Sequence, residues 1–372
     1  MFFSFNEMRK FFDSNALWLS MLIGALLYPW LLPLKPLLPW LIFFMLFFTF
    51  CKVNPLDLRL HKWHWVVLAA QMILSFGSYA GVSYLTNDPI LAQGIMICFI
   101  MPTATAAPII AGKMGGSIQN LTTFTLLSNF ATAIIVPATF PLLTSPSLVG
   151  RVGVGLSTFF PAFLLILSRV APLLLGPFFS AWLVRIGFNY YYRRKEKITN
   201  HPYLQIVPSG KESPITNHKS FELPKSLAVV PFYLWVASII VLSATVTQTV
   251  ITNYQSQMTN MLILLACSFF ACLLQFGLGK WIGYKLPAPS KGKDYQDVLI
   301  NPAAAPKTMS GVSSITAGQA FGQKNTSLGV WIAQMYLDPL SALGAAAYII
   351  WQNLFNSVQL FVVAHKKQKK TK

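Results

Sequence analysis

The chain predicts an all-α membrane protein of about ten transmembrane helices in two inverted five-helix repeats, with broken crossing helices at positions four and nine. Three observations carry that expectation. The 372 residues are 55% hydrophobic and only 10% charged, a balance too apolar for a soluble domain. Apolar runs of spanning length recur from one end to the other. Two of those runs are interrupted at matching places in the two halves.

A bilayer-spanning helix needs roughly 20 largely apolar residues, which places spans at about 15–33, 37–51, 62–85, 89–114, 117–143, 158–187, 226–250, 259–284, 304–335 and 338–364. Residues 1–12 carry Glu7, Arg9 and Lys10 with no small-residue cleavage site after them, so no cleavable signal is expected. Five spans (1–143) precede the stretch 144–157 and five (158–364) follow it, before a basic tail at 365–372. An odd number per half sends the second half in from the opposite side, which makes the repeat inverted. The longest polar stretch, 188–225, opens with Tyr190-Tyr191-Tyr192-Arg193-Arg194-Lys195 and reads as a cytoplasmic loop inside the second half.

The net charge of +18 is distributed by membrane face. Arg9, Lys52, Arg59, Lys113, Arg193, Lys285 and the terminal Lys366 to Lys372 cluster fall at alternate span ends, whereas the other face carries only Lys35 and Arg151. The positive-inside rule then puts both termini in the cytoplasm of a multi-pass inner-membrane protein. Lipid is the partner that this charge implies, and nucleic acid is not. Cys51, Cys98, Cys267 and Cys272 sit in or beside apolar spans without metal-ligand spacing and read as small apolar residues. His61, His64, His201, His218 and His365 all fall at span ends or in cytoplasmic segments, and no Asp or Glu lies within a span core. Acid–base or metal chemistry inside the membrane would lack its groups, so an enzyme is not expected.

The first interruption is Met101-Pro102-Thr103-Ala104-Thr105-Ala106-Ala107-Pro108, running on to Gly115-Gly116. The second is Ala317-Gly318-Gln319-Ala320-Phe321-Gly322-Gln323-Lys324-Asn325. Backbone freed within a bilayer must be buried in protein or line a cavity. A matched pair of breaks in the two halves points to a transporter binding site.

At these residues the chain resembles the bile acid:sodium symporter family of ten-helix secondary transporters. Pro102, Thr105-Ala106, Thr125 and Pro137 are similar to its first crossover and the helix after it. Gly322, Asn325, Trp351 and Asn353 are similar to its second crossover and final helix, and Gln71 to a glutamine placed beside the crossovers. The resemblance implies a core domain of spans 3–5 and 8–10, a panel domain of spans 1, 2, 6 and 7, substrate between them, and sodium behind the crossover. The chain departs from that pattern where it has Thr103 and Ala104 for a glycine pair and Ala107 and Pro108 for Ser-Asn. It also has Ala320 for the acidic residue and Lys324 for the glutamine that follows it. Thr125, Gln71 and Ser128 remain as neutral oxygen donors, too few for the usual sodium sites. Sodium is the family's coupling ion; these residues suggest a proton or no ion.

Lys324 lies beside a break near mid-membrane, where a cation is expensive and by default functional. Its ammonium could stand in an ion's place and donate to Gln71, Thr125 or freed carbonyls; the competing reading is a lysine reaching for the outer interface. Arg169, inside the sixth span, would bind a carboxylate, sulfonate or phosphate if it faces the cavity, and is structural otherwise. Thr103, Thr105 and Asn325 are the further candidates for substrate contact, although membrane Ser and Thr often bond only the preceding turn. The expectation is a secondary transporter of a small organic anion, with no cofactor. The alternative is a non-transporting sensor or passive channel on the same fold.

Overall fold

The computed structural model describes residues 5–53, 58–143, 156–199, 224, 227–288 and 308–370. The linker 144–155, the polar loop from 200 to 223, Arg151 and the expected start of the ninth span at 304–307 lie outside the described residues. Among those described, the regular structure is helical and no strand occurs. Five helices are long and apolar enough to cross a membrane: Tyr28–Phe50, Lys62–Thr86, Ile118–Leu143, Phe159–Tyr191 and Val230–Lys285.

The N-terminal part advances in steps set by proline. Helix α1 (Phe5–Leu26) leads into α2 (Tyr28–Leu31), a 3-10 turn at Leu32–Leu37, and α3 (Leu38–Phe50). Pro29, Pro33 and Pro39 each stand in the first turn of their element, where a missing N–H leaves no helical bond unmade. The expected gap between the first two spans falls inside the 3-10 turn. Helix α4 (Lys62–Thr86) ends at Asn87, whose φ of 52° is a left-handed cap. Asp88 then opens α5 (Pro89–Ile100), its carboxylate accepting from the Ile90 and Leu91 N–H groups.

The first break follows α5. A short α6 (Ala107–Lys113) continues beyond it, and α7 (Ile118–Leu143) returns. Helix α8 (Leu156–Thr199) is 44 residues long. Its last residues were expected to be loop from 188 onward, but the helix continues to Thr199. No Pro or Gly interrupts that stretch, and its Arg, Lys and Glu residues are good helix formers.

Helix α9 (Val230–Lys285) has one residue of non-helical backbone, Gln257 (φ −127°, ψ 18°). After it come α10 (Met309–Gly322), the second break, α11 (Thr326–Tyr336), and α12 (Ala342–Lys370). The two arms of α9 must fold back on one another. Ile239 packs against Ile349 of α12, while Trp351, two residues on, donates Nε1 to the Leu265 carbonyl and to Ser268 Oγ. On a straight helix Ile239 and Ser268 would be about 43 Å apart, far beyond side-chain reach. Gln257 is therefore an elbow, held where Asn260 donates to both the Gln257 side chain (2.8 Å) and Asp88 Oδ2 (2.7 Å).

Glycines set the second arm of α9 against α10. Gly279 and Gly283, one helical turn apart, meet Ala317, Gly318 and Ser313 backbone so closely that a Cβ at either would collide with a carbonyl. Gly344 sits against the Gly94 carbonyl in the same way and brings α12 up to α5. Gly283→Val should therefore lower stability by at least about 1–3 kcal/mol through overpacking, read as a drop in melting temperature, while Gly277→Ala, at an open position, should not.

Candidate functional site

The two breaks meet. Thr103 and Lys324 form an antiparallel bridge: Asn325 N donates to the Pro102 carbonyl at 2.7 Å, and Ala104 N to the Gln323 carbonyl at 2.9 Å. Two helices that stop inside the protein thus complete part of each other's backbone bonding. The remaining freed carbonyls are taken by side chains from neighbouring helices, as buried backbone requires. Gln71 of α4 donates its amide to the Ile100 and Met101 carbonyls (3.1 and 3.0 Å). Thr103 Oγ1 donates to the Ala320 carbonyl at 2.6 Å, and Tyr348 OH of α12 to the Gly322 carbonyl at 2.8 Å. Gln275 of α9 reaches the Cys98 carbonyl at 3.1 Å. On the donor side, Thr103 N finds Ser128 Oγ of α7 (2.9 Å), and Lys324 N finds Gln352 Oε1 of α12 (2.9 Å).

A cavity of about 910 Å³ lies against this crossing. From the crossing it takes Ala104, Thr105, Ala106, Gln323, Lys324, Asn325, Thr326 and Ser327, and from α7 Gln119, Thr122 and Thr125. Its opposite wall is apolar and aromatic, with Met45 and Phe50 of α3 and Phe232 and Trp235 of α9. Gln352 and Asn353 of α12 add amides, and Lys52, Val53, Leu58 and Arg59 also line it. Apolar and aromatic lining with a few polar and basic groups suits a small organic molecule with an anionic group.

The expected site residues separate into three groups. Thr105, Asn325, Lys324 and Thr125 line the cavity. Asn325 caps α11, its Oδ1 accepting from Leu328 N (3.3 Å) while its Nδ2 has no hydrogen-bond partner among the described residues. Gln71, Thr103 and Ser128 lie behind the crossing and brace its backbone. The hydroxyl of Thr125 donates to the Leu121 carbonyl, the ordinary bond to the preceding turn. Arg169 is not brought to the site. The face of α8 turned inward carries Ile166, Val170, Leu173 and Leu174, and Arg169 falls beside that stripe, exposed and not among the residues lining the cavity. Besides Lys324, the basic residues lining the cavity are Lys52 and Arg59, which the charge pattern places on one membrane face but does not bring to any site.

Lys324 is 0% exposed. Its Nζ has no hydrogen-bond partner among the described residues and rests 5.0 Å from the centroid of the Phe321 ring. The alternative of a lysine stretched toward an interface does not describe this side chain. Gln275, Tyr348 and Gln352 were not singled out from sequence. The signal available for them was the same as for Gln71, a large polar side chain within an apolar span.

No protein-family model and no curated protein matches the chain. The resemblance to the bile acid:sodium symporters therefore stands on the residues quoted for it.

Ser128→Ala should leave the Thr103 N–H buried without an acceptor and cost about 1–3 kcal/mol, measurable as a lower melting temperature. Thr122→Ala, which removes only a hydroxyl bonded to its own preceding turn at Ile118, should cost much less.

Proposed function

We propose that this protein is a secondary transporter of a small organic anion that works by alternating access on a ten-span, two-repeat framework. The observation that carries the reading is the buried antiparallel crossing of two broken segments, one from each half, beside a cavity of about 910 Å³. Broken helices at the repeat interface are where such carriers hold substrate, since freed backbone is tolerated only against protein or a polar cavity. On this reading the spans are α1 with α2, α3, α4, α5 with α6, α7, α8, the two arms of α9, α10 with α11, and α12. The antiparallel sense of the bridge agrees with halves of opposite orientation. The N-terminus of α11 lines the cavity through Asn325, Thr326 and Ser327, and a helix N-terminus favours negative charge.

Lys52 and Arg59 bear on direction. They belong to the positively charged face, so on this reading the part of the cavity they line lies on the cytoplasmic side. Sodium as a co-transported ion finds little support. It asks for several oxygen ligands. Several freed carbonyls here already accept N–H or O–H donors, and among the described residues no carboxylate stands around the crossing; the oxygens left over are neutral amides that share the crossing with Lys324.

Counterflow of radiolabelled small organic anions into proteoliposomes tests the reading. Saturable exchange is expected for at least one member of a panel of carboxylates and sulfonates. Thr122→Trp, which fills the cavity from a partly exposed position on α7, should abolish that exchange with little change in melting temperature. Tight anion binding without any exchange would replace the carrier with a sensor.

A further inference from the structure

The crossing holds a lysine head group that nothing in the backbone scheme requires. Asn325 N, Ala104 N and the side chains of Gln71, Thr103, Tyr348 and Gln275 already satisfy the breaks. Lys324 contributes its backbone to that scheme, and its side chain then runs inward to the Phe321 ring with no hydrogen bond at Nζ. A buried charge without a partner is among the most unfavourable features a folded protein can carry. The described acidic side chains do not offset it: Asp88 and Asp338 cap α5 and the turn before α12, at the far ends of those elements.

The same region carries the complementary deficit. The amide oxygens of Gln71, Asn129, Gln275, Gln319 and Gln323 are buried and accept no hydrogen bond among the described residues. They come from α4, α7, α9, the end of α10 and the second break, and each belongs to a residue bonded to the crossing, forming part of it, or next to one that is. With Lys324 Nζ and Asn325 Nδ2 the only unpaired buried side-chain nitrogens of the second break among the described residues, oxygens outnumber donors at the crossing. A protonated lysine head carries three N–H donors, enough to complete three of the five.

We propose that the Lys324 ammonium is a built-in cation of the crossing, on which these amide oxygens close as the protein moves between access states, so that the crossing needs no bound metal ion. This rests on the carrier reading for its purpose. In one state Nζ lies against the Phe321 ring, as here; in the other it is held by amide oxygens from both halves. The charge is covalently attached and travels with the second break, so it locks and releases the crossing without an ion from solution.

The test uses the full-length protein in detergent and needs no substrate. Melting temperature is measured in sodium, potassium and choline chloride at matched ionic strength, for the wild type, Lys324→Met and Lys324→Ala. The wild type should melt alike in all three salts. Lys324→Met keeps the apolar stem and should melt at least about 3 °C lower, and Lys324→Ala should regain part of its loss in methylammonium but not in choline. The opposite sign is expected of an idle lysine, because replacing an unused buried charge by an apolar isostere stabilises. A wild type that sodium stabilises saturably, or a Lys324→Met protein that melts at or above the wild type, overturns the proposal. If neither variant folds, the sodium titration of the wild type alone still decides whether the crossing takes a metal ion. Absence of counterflow would sink the carrier and leave these melts standing, so the two failures are distinguishable.

Discussion

Two helices that end inside the protein impose one constraint on everything around them: every backbone group they release must be bonded without water. The chain meets it in part by pairing the breaks with each other, through the Pro102 and Gln323 carbonyls and the Asn325 and Ala104 N–H groups. The rest follows from what that pairing leaves over. Gln71, Tyr348, Gln275, Ser128 and Gln352 each reach the crossing from a different helix or a different turn, and each carries one specific bond. A net hydrogen bond contributes only about 1 kcal/mol, but an unmet buried group costs more, so these side chains are held by the penalty of their absence.

The same constraint explains the tight glycine contacts. Crossing segments must approach within hydrogen-bond distance, and helices carrying them must follow. Gly279 and Gly283 let the second arm of α9 lie directly on α10, and Gly344 lets α12 lie on α5. Close packing of small residues supplies the contact that lipid cannot drive by hydrophobicity alone. The elbow at Gln257 serves the same end, since both arms of α9 must reach α12 and only a fold-back allows it.

The site that results has two unlike sides. The crossing offers fixed dipoles, amides and a capped helix terminus, while α3 and the first arm of α9 offer aromatic and aliphatic surface. On the carrier reading proposed above, polar groups fixed by the crossing would bind and an apolar surface could shift without breaking hydrogen bonds.

Membrane class, the positions of the breaks and the candidate Lys324 were legible in the chain alone, because each depends on composition or on a local violation of helix rules. Apolar length is counted along the sequence, and Pro102 or Gly322 announces its break wherever the helix goes. The reach of α8 to Thr199 was also local, and reading its polarity as loop overlooked that Arg, Lys and Glu sustain a helix. What only the tertiary structure decided were the partnerships. Nothing in the spacing of Thr103 and Lys324, 221 residues apart, says that their backbones pair. For Arg169 the sequence left a cavity role and a structural one open; in the fold it is exposed and does not line the cavity beside the crossing. Lys52 and Arg59 line the same cavity as the crossing, which their place on one membrane face did not announce. Periodicity and hydropathy tell which residues leave water; which groups then bond each other depends on how helices distant in sequence are brought within about 3 Å, and that is settled only by packing.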